Sequence, residues 1–257
     1  MPANQAKFVW YDVMTTDTKA AEAFYRGVIG WDIKDAGMPD GSYSILSVGS
    51  TRVGGLMPIP ADAKAMGARP GWMGYVGVSD VDGYAARVKA AGGAIHRAPA
   101  DIPGIGRFAV VADPQGAAFI LFKGMGGEEP AAAAQGTPGH IGWHELHAGE
   151  REAAFAFYAG LFGWTKTETM DMKRAGIYQM FATGGPTVGG MMTRMPEMPA
   201  PCWLYYFNVE NIDAAVARVT KAGGKVLNGP HQVPGEVWIA QCLDPQGAMF
   251  AMVGPKG

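Results

Sequence analysis

The 257-residue chain is short of positive charge, thiols and long apolar runs, and each shortage excludes a class of function. Lys and Arg number 21 against 23 Asp and Glu, for a net charge of -2. No basic footprint for sequence-independent nucleic-acid binding exists. The two cysteines, Cys202 and Cys242, lack Cys-x-x-Cys spacing, which excludes a disulfide framework and a thiolate zinc site. Neither has a basic neighbour in sequence that would mark a reactive thiolate. No stretch approaches the roughly 18–20 apolar residues of a membrane helix. The first residues, Met1 to Lys7, are polar and lack a charged-then-apolar leader. A cytoplasmic protein with no membrane partner is expected. Gly-x-Ser-x-Gly, Walker and dinucleotide-binding motifs are missing as well. Charged residues are only 17% of the chain while 48% are apolar, enough for a substantial core.

What the chain does contain is a copy of itself. Trp10 in FVWYDV returns as Trp143 in IGWHEL, 133 residues later. Phe24-Tyr25 returns as Phe157-Tyr158, and Gly30-Trp31 as Gly163-Trp164. Val53-Gly54-Gly55 matches Val188-Gly189-Gly190, Trp72 matches Trp203, and Gly92-Gly93 matches Gly223-Gly224. Asp113-Pro-Gln-Gly-Ala117 matches Asp244-Pro-Gln-Gly-Ala248. A repeat this long makes each half a domain, 1–123 and 140–257. The Gly-, Pro- and Ala-rich stretch 124–139 reads as a linker.

Each half has one layout. Residues 8–14 are rich in β-branched and aromatic side chains, a strand signal. Ala21, Phe24, Tyr25, Val28 and Ile29 fall on one helical face, with Asp17 as N-cap and Gly30 past the end. Strands are predicted near 31–35, 43–48 and 52–57. A strand near 72–78, a helix near 80–91 and strands near 94–98, 107–112 and 118–122 follow. Asp113-Pro-Gln-Gly116 is a turn: Pro presets φ and Gly takes the left-handed position. The fold class is α+β, with four βαβββ modules, two to each half. His96 and His231 fall in predicted loops.

The pattern of strand, acidic cap, Ala-x-x-Phe-Tyr…Gly-Trp and then Ser-Asp-Val-Asp…Ala-Gly-Gly…Asp-Pro-Gln-Gly resembles the vicinal oxygen chelate superfamily. That group includes glyoxalase I, bleomycin-resistance proteins and extradiol dioxygenases. The likeness covers nearly all of 8–123 and 140–254, and is nearest to two-domain glyoxalase-like proteins labelled as hydroxylases. It implies tandem glyoxalase-like domains, each an incomplete barrel around a cavity. The fold hosts lyases, dioxygenases, epimerases and drug-sequestering proteins, so it does not itself name an activity. The resemblance also implies where metal ligands would stand: Trp10 and Trp143 on the first strands, Met73 and Leu204 before the second helices, Ile120 and Ala251 on the last strands. None of the six is a ligand type. No metal and no other cofactor is therefore expected, a divalent metal being the alternative.

Two strands carry an acid in an apolar setting. Trp10, Asp12 and Met14 alternate on one face, as do Trp143, Glu145 and His147. Glu145, His147 and Asp12 are the candidate acid/base groups. The alternative for both acids is a structural carboxylate tied to backbone N–H groups or to an Arg such as Arg107. His144, matching Tyr11, reads as a packing residue. His147 lies near a strand end, where an exposed position is expected. Trp10, Tyr43, Trp72, Tyr75 and Arg107 in the first half, and Trp143, Tyr178, Trp203, Tyr206 and Trp238 in the second, are candidate ligand-binding residues. Val53-Gly54-Gly55 and its copy read as a bulge or a close backbone approach. The segment 191–201 reads as a connector, with a lid as the alternative.

Three readings stay open. The first is a metal-independent binding protein for a small hydrophobic or aromatic compound. The second is a lyase, isomerase or dioxygenase working through Glu145 and His147 or Asp12. The third is an interaction protein with filled cavities. A small-molecule partner is expected, with the chain a monomer or homodimer and nucleic acid excluded.

Overall fold

The computed structural model describes residues 6–38, 42–126 and 133–257. The first half runs β1 (Phe8–Thr15), α1 (Thr18–Val28), β2 (Asp32–Asp35), β3 (Ser44–Val48), β4 (Thr51–Pro58) and α2 (Ala61–Ala65). It continues with β5 (Gly71–Gly77), α3 (Val81–Ala90), β6 (Ala94–Ile102), β7 (Gly106–Ala112) and β8 (Ala118–Gly124). The second half repeats the order with β9 (Ile141–Ala148), α4 (Arg151–Phe162), β10 (Thr165–Asp171), β11 (Ile177–Ala182) and β12 (Thr187–Thr193). It closes with β13 (Cys202–Asn208), α5 (Ile212–Lys221), β14 (Lys225–Val233), β15 (Val237–Leu243) and β16 (Met249–Gly254). Four βαβββ modules result.

Local chemistry sets these elements. Asp17 accepts from the Ala20 N–H at the start of α1, and Glu150 accepts from the Glu152 and Ala153 N–H groups at the start of α4. Gly163 ends α4 in the left-handed conformation, φ 73°. In both Asp-Pro-Gln-Gly turns the Asp carboxylate accepts two backbone N–H groups, from Gln115 and Ala117 and from Gln246 and Ala248. The short helix α2 was not predicted. His96 and His231 lie in β6 and β14 rather than in loops. Both strands shift register against their hairpin partners, which breaks the alternation a strand shows in sequence.

Each half of the chain makes one eight-stranded sheet, with strand order β2-β3-β4-β1-β5-β8-β7-β6 in the first and β10-β11-β12-β9-β13-β16-β15-β14 in the second. The inner strand pairs are parallel: β1 with β4, β5 with β8, β9 with β12, and β13 with β16. The compact units are drawn differently. One comprises described residues within 11–72, 130–142 and 204–257, the other those within 1–10, 73–129 and 143–203. Each unit thus takes one module from each half. Each sheet lies within one half of the chain, while each compact unit joins a module of one half to a module of the other. Of the expected linker 124–139, residues 127–132 lie outside the described residues. Gly139 is buried in the first unit, where its N–H reaches the Asn208 carbonyl.

The repeated motifs build these units. In the first, the Trp72 indole N–H donates to the Tyr25 hydroxyl at 2.9 Å, and that hydroxyl donates to Asp244 at 3.1 Å. In the second, Trp203 donates to Tyr158 at 3.0 Å, and Tyr158 to Asp113 at 3.1 Å. Burial pushes both carboxyls above the usual carboxylate range, against the bonds they accept. Arg218 donates to the Val28 carbonyl at the end of α1, and Arg87 to the Gly160 and Leu161 carbonyls at the end of α4. Both place a cation where a helix leaves its last carbonyls unpaired.

Candidate functional site

The polar residues of β9 alternate with its core residues. Leu146 and Ala148 pack inward at 0% exposure. Glu145 and His147 point to the opposite face, yet they too are buried, at 7% and 4%. His147 is therefore not the exposed strand-end residue its position suggested. Its Nε2 stands 2.8 Å from Glu145 Oε1 but off the line of a good N–H bond, so neither ring nitrogen has an aligned hydrogen-bond partner among the described residues. Glu145 Oε2 accepts from the Tyr178 hydroxyl at 2.9 Å. The Tyr178 oxygen in turn accepts from the Trp143 indole N–H at 2.6 Å. Trp143, half-buried, leads through Tyr178 and Glu145 to an enclosed imidazole.

The glycines make this arrangement possible. Gly190 of β12 is the register partner of Glu145, and a methyl group built on it would fall on the Tyr178 ring. Gly55 of β4 pairs with Asp12, and a methyl there would meet the Tyr43 hydroxyl and the Asp12 carboxylate. Of the four motif glycines, Gly54 and Gly189 meet backbone oxygens of the neighbouring strand, the close approach the Gly-Gly motif suggested. Gly190→Ala should cost about 1–3 kcal/mol in urea unfolding, because the ring cannot keep both its place and its bond to Glu145. Gly27→Ala is the control: it lies inside α1 with open space around it, and should gain about 0.5–1 kcal/mol. Equal effects of the two substitutions would contradict this account.

The other unit holds the equivalent pair. The Tyr43 hydroxyl donates to Asp12 Oδ1 at 2.6 Å, and Asp12 is 2% exposed. Met14 occupies the place that His147 has in the second half. Arg107 does not hold Asp12: it pairs with Asp82 at 2.6 Å and Asp101 at 2.9 Å on the surface. Those partners raise the guanidinium's affinity for its proton, and the guanidinium keeps the Asp82 carboxyl below its ordinary range. Sequence could not show this, because Asp82 lies on another element.

The remaining candidates separate. Trp72 and Trp203 are buried and spend their indole N–H groups on Tyr25 and Tyr158 in the cores. Tyr75 is buried edge-on against Phe122 at 5.7 Å. Tyr206 is buried and accepts from Gln241 Nε2 at 2.9 Å. Trp10 stays half-buried on β1. Trp238 is half-buried, with the Lys256 ammonium 4.2 Å above its ring. His144 is a packing residue: it stacks on Phe8 at 4.3 Å, its Nδ1 is 2.8 Å from the Val188 carbonyl, and burial pushes its pKa down to about 4. Met191 and Met192 of the 191–201 segment belong to β12; beyond them the Arg194 guanidinium donates to the Met198 carbonyl. Burial pushes the Cys202 thiol up to about 11 and Cys242 to about 12, so both are neutral.

A divalent metal does not fit these residues. Among the described residues no three His, Cys, Asp or Glu side chains stand together as a donor set. Trp10, Trp143, Met73, Leu204, Ile120 and Ala251 offer no oxygen or imidazole nitrogen. Among the described residues no helix is long and apolar enough to cross a membrane.

A model of the Glyoxalase/Bleomycin resistance protein/Dioxygenase superfamily matches residues 7–121 and 138–252. The chain is 33% identical over 249 residues to "Putative glyoxylase CFP32" of Mycobacterium bovis, covering 96% of this chain and 94% of that one. It is 31% identical over 261 residues to "Anthracycline biosynthesis protein DauV" of Streptomyces sp., covering 95% and 91%. Among solved structures, the Mn(II)-bound glyoxalase from Novosphingobium aromaticivorans shares the fold, with a TM-score of 0.64, 18% identity, and 99% and 83% coverage.

Proposed function

The chain belongs to the Glyoxalase/Bleomycin resistance protein/Dioxygenase superfamily, and from that premise we propose that it is a metal-independent binding protein for small hydrophobic or aromatic molecules. One observation carries the reading: all six positions where the family resemblance would put metal ligands hold indole, thioether or aliphatic side chains. A site without a metal must hold its ligand by apolar area, stacking and a few placed polar groups. Trp143 offers the ring face, and Tyr178, Glu145 and His147 the polar groups. A relative named for anthracycline biosynthesis supports a planar aromatic as the ligand class. The two free thiols support a cytoplasmic setting, and the chain acts as a monomer or homodimer. Native mass spectrometry with metal analysis of the purified full chain tests this. The expected result is a retained organic mass and no stoichiometric metal. One equivalent of divalent metal per chain, surviving dialysis, would overturn it.

The buried Glu145–His147 pair favours a second reading, an acid/base lyase, isomerase or dioxygenase. Here Glu145 would orient the imidazole and His147 would move the proton, with Asp12 the group at the equivalent position in the other unit. Glu145→Gln should then reduce turnover of the retained compound by about 10²–10⁴. Unchanged turnover in that variant would sink the enzymatic version and leave the binding one.

A further inference from the structure

His147 is not required by packing. The matching position in the first half is Met14, on the same strand of an equivalent module. An apolar side chain of similar volume therefore suits the site. A buried imidazole nitrogen without a partner forfeits its bond to water, a cost that packing alone does not repay. His147 Nδ1 is such an atom: it is buried and has no hydrogen-bond partner among the described residues. Glu145, 2.8 Å from Nε2, draws the ring proton to the Nε2 side. Trp143 and Tyr178 hold Glu145 in that position. Nδ1 is left as a buried lone pair.

We propose that His147 Nδ1 is the acceptor for the hydroxyl of an aromatic ligand, so that the site takes phenols in preference to aromatics without an O–H. The proposal rests on the binding reading given above. Nδ1 is closed to solvent, so the ligand must displace a neighbour to reach it. Met192 is the register partner of His147 on β12 and carries a flexible thioether. Repacking of that side chain opens the way. The Asp12 unit, with methionine at the equivalent position, lacks this acceptor and does not distinguish the two ligand types.

The test compares 2-naphthol with 2-methoxynaphthalene by isothermal titration of the full chain. The two have nearly the same ring area, and only the first can donate. Wild type should bind 2-naphthol at least about tenfold more tightly, a difference of about 1.4 kcal/mol. His147→Met, the residue the first half already uses, should bind both alike at the weaker level, and His147→Gln should show the same loss if the first variant unfolds. Equal binding of the two probes by wild type overturns the proposal and leaves the binding reading intact. Preserved discrimination in both folded variants also overturns it. Failure of wild type to bind either probe overturns the binding reading and this proposal together.

Discussion

Trp203→Ala should destabilise the chain by about 3–5 kcal/mol and lower its melting temperature by about 10 °C. Trp203 is 6% exposed and packs edge-on against Tyr158 at 5.3 Å and Trp164 at 5.9 Å, and against Phe8 at 5.3 Å. Its removal leaves a cavity in the aromatic core and takes the indole donor from the Tyr158 hydroxyl, which must still serve Asp113. Trp72→Ala should cost a similar amount in the other unit, where Trp72 meets Phe207 at 4.8 Å and Tyr25 at 5.3 Å. Trp203→Phe separates the two contributions: it keeps most of the apolar area and loses the N–H, for about 1–2 kcal/mol. Urea unfolding gives all three values. A loss under about 1.5 kcal/mol for Trp203→Ala would return it to the status of a site-lining residue.

The fate of these tryptophans shows where reading a sequence stops. The helix stripe of Phe24, Tyr25 and Val28, the Asp17 cap and the Asp-Pro-Gln-Gly turns are legible because their physics lies within a few residues. The acids Asp12 and Glu145 are legible because a carboxylate on an apolar strand is a local anomaly. Their tyrosines, Tyr43 and Tyr178, stand out only as repeat partners. The similar offsets of Tyr25, Trp72 and Asp244 from Tyr158, Trp203 and Asp113, 133, 131 and 131 residues, show equivalence but not what touches what. Both hydrogen-bonded chains join one half to the other, Tyr25 to Asp244 and Tyr158 to Asp113, so neither is readable within a half. Arg107 shows the same limit: the sequence offers it as one possible partner for a buried acid, while its partners are Asp82 and Asp101 on the surface. His147 was misplaced because a strand end in sequence need not be a strand end in exposure.

Acid should reveal His144. Its pKa in the folded chain is about 4, against an ordinary value near 6.5, because full burial opposes the charged imidazole more than the Val188 carbonyl favours it. The unfolded chain takes up this proton first, so folding loses free energy as pH falls. The contribution is complete above about pH 6.5 and is lost as pH drops toward about 4. A shift of that size corresponds to about 3 kcal/mol. His140, also lowered by burial, adds to the same trend, and Asp113 and Asp244, raised by burial, oppose it. Those groups are common to wild type and to His144→Phe, which keeps a ring against Phe8, and they cancel in the difference. His144→Phe should therefore be less stable than wild type at pH 7, where the Val188 carbonyl has lost this partner. It should overtake wild type, or nearly so, by pH 4, as the difference moves by about 3 kcal/mol in its favour. Urea unfolding at intervals from pH 7 to pH 4 measures this directly. Parallel profiles for the two proteins would mean that the imidazole binds its proton equally well in the folded and unfolded chain and that burial does not set its charge.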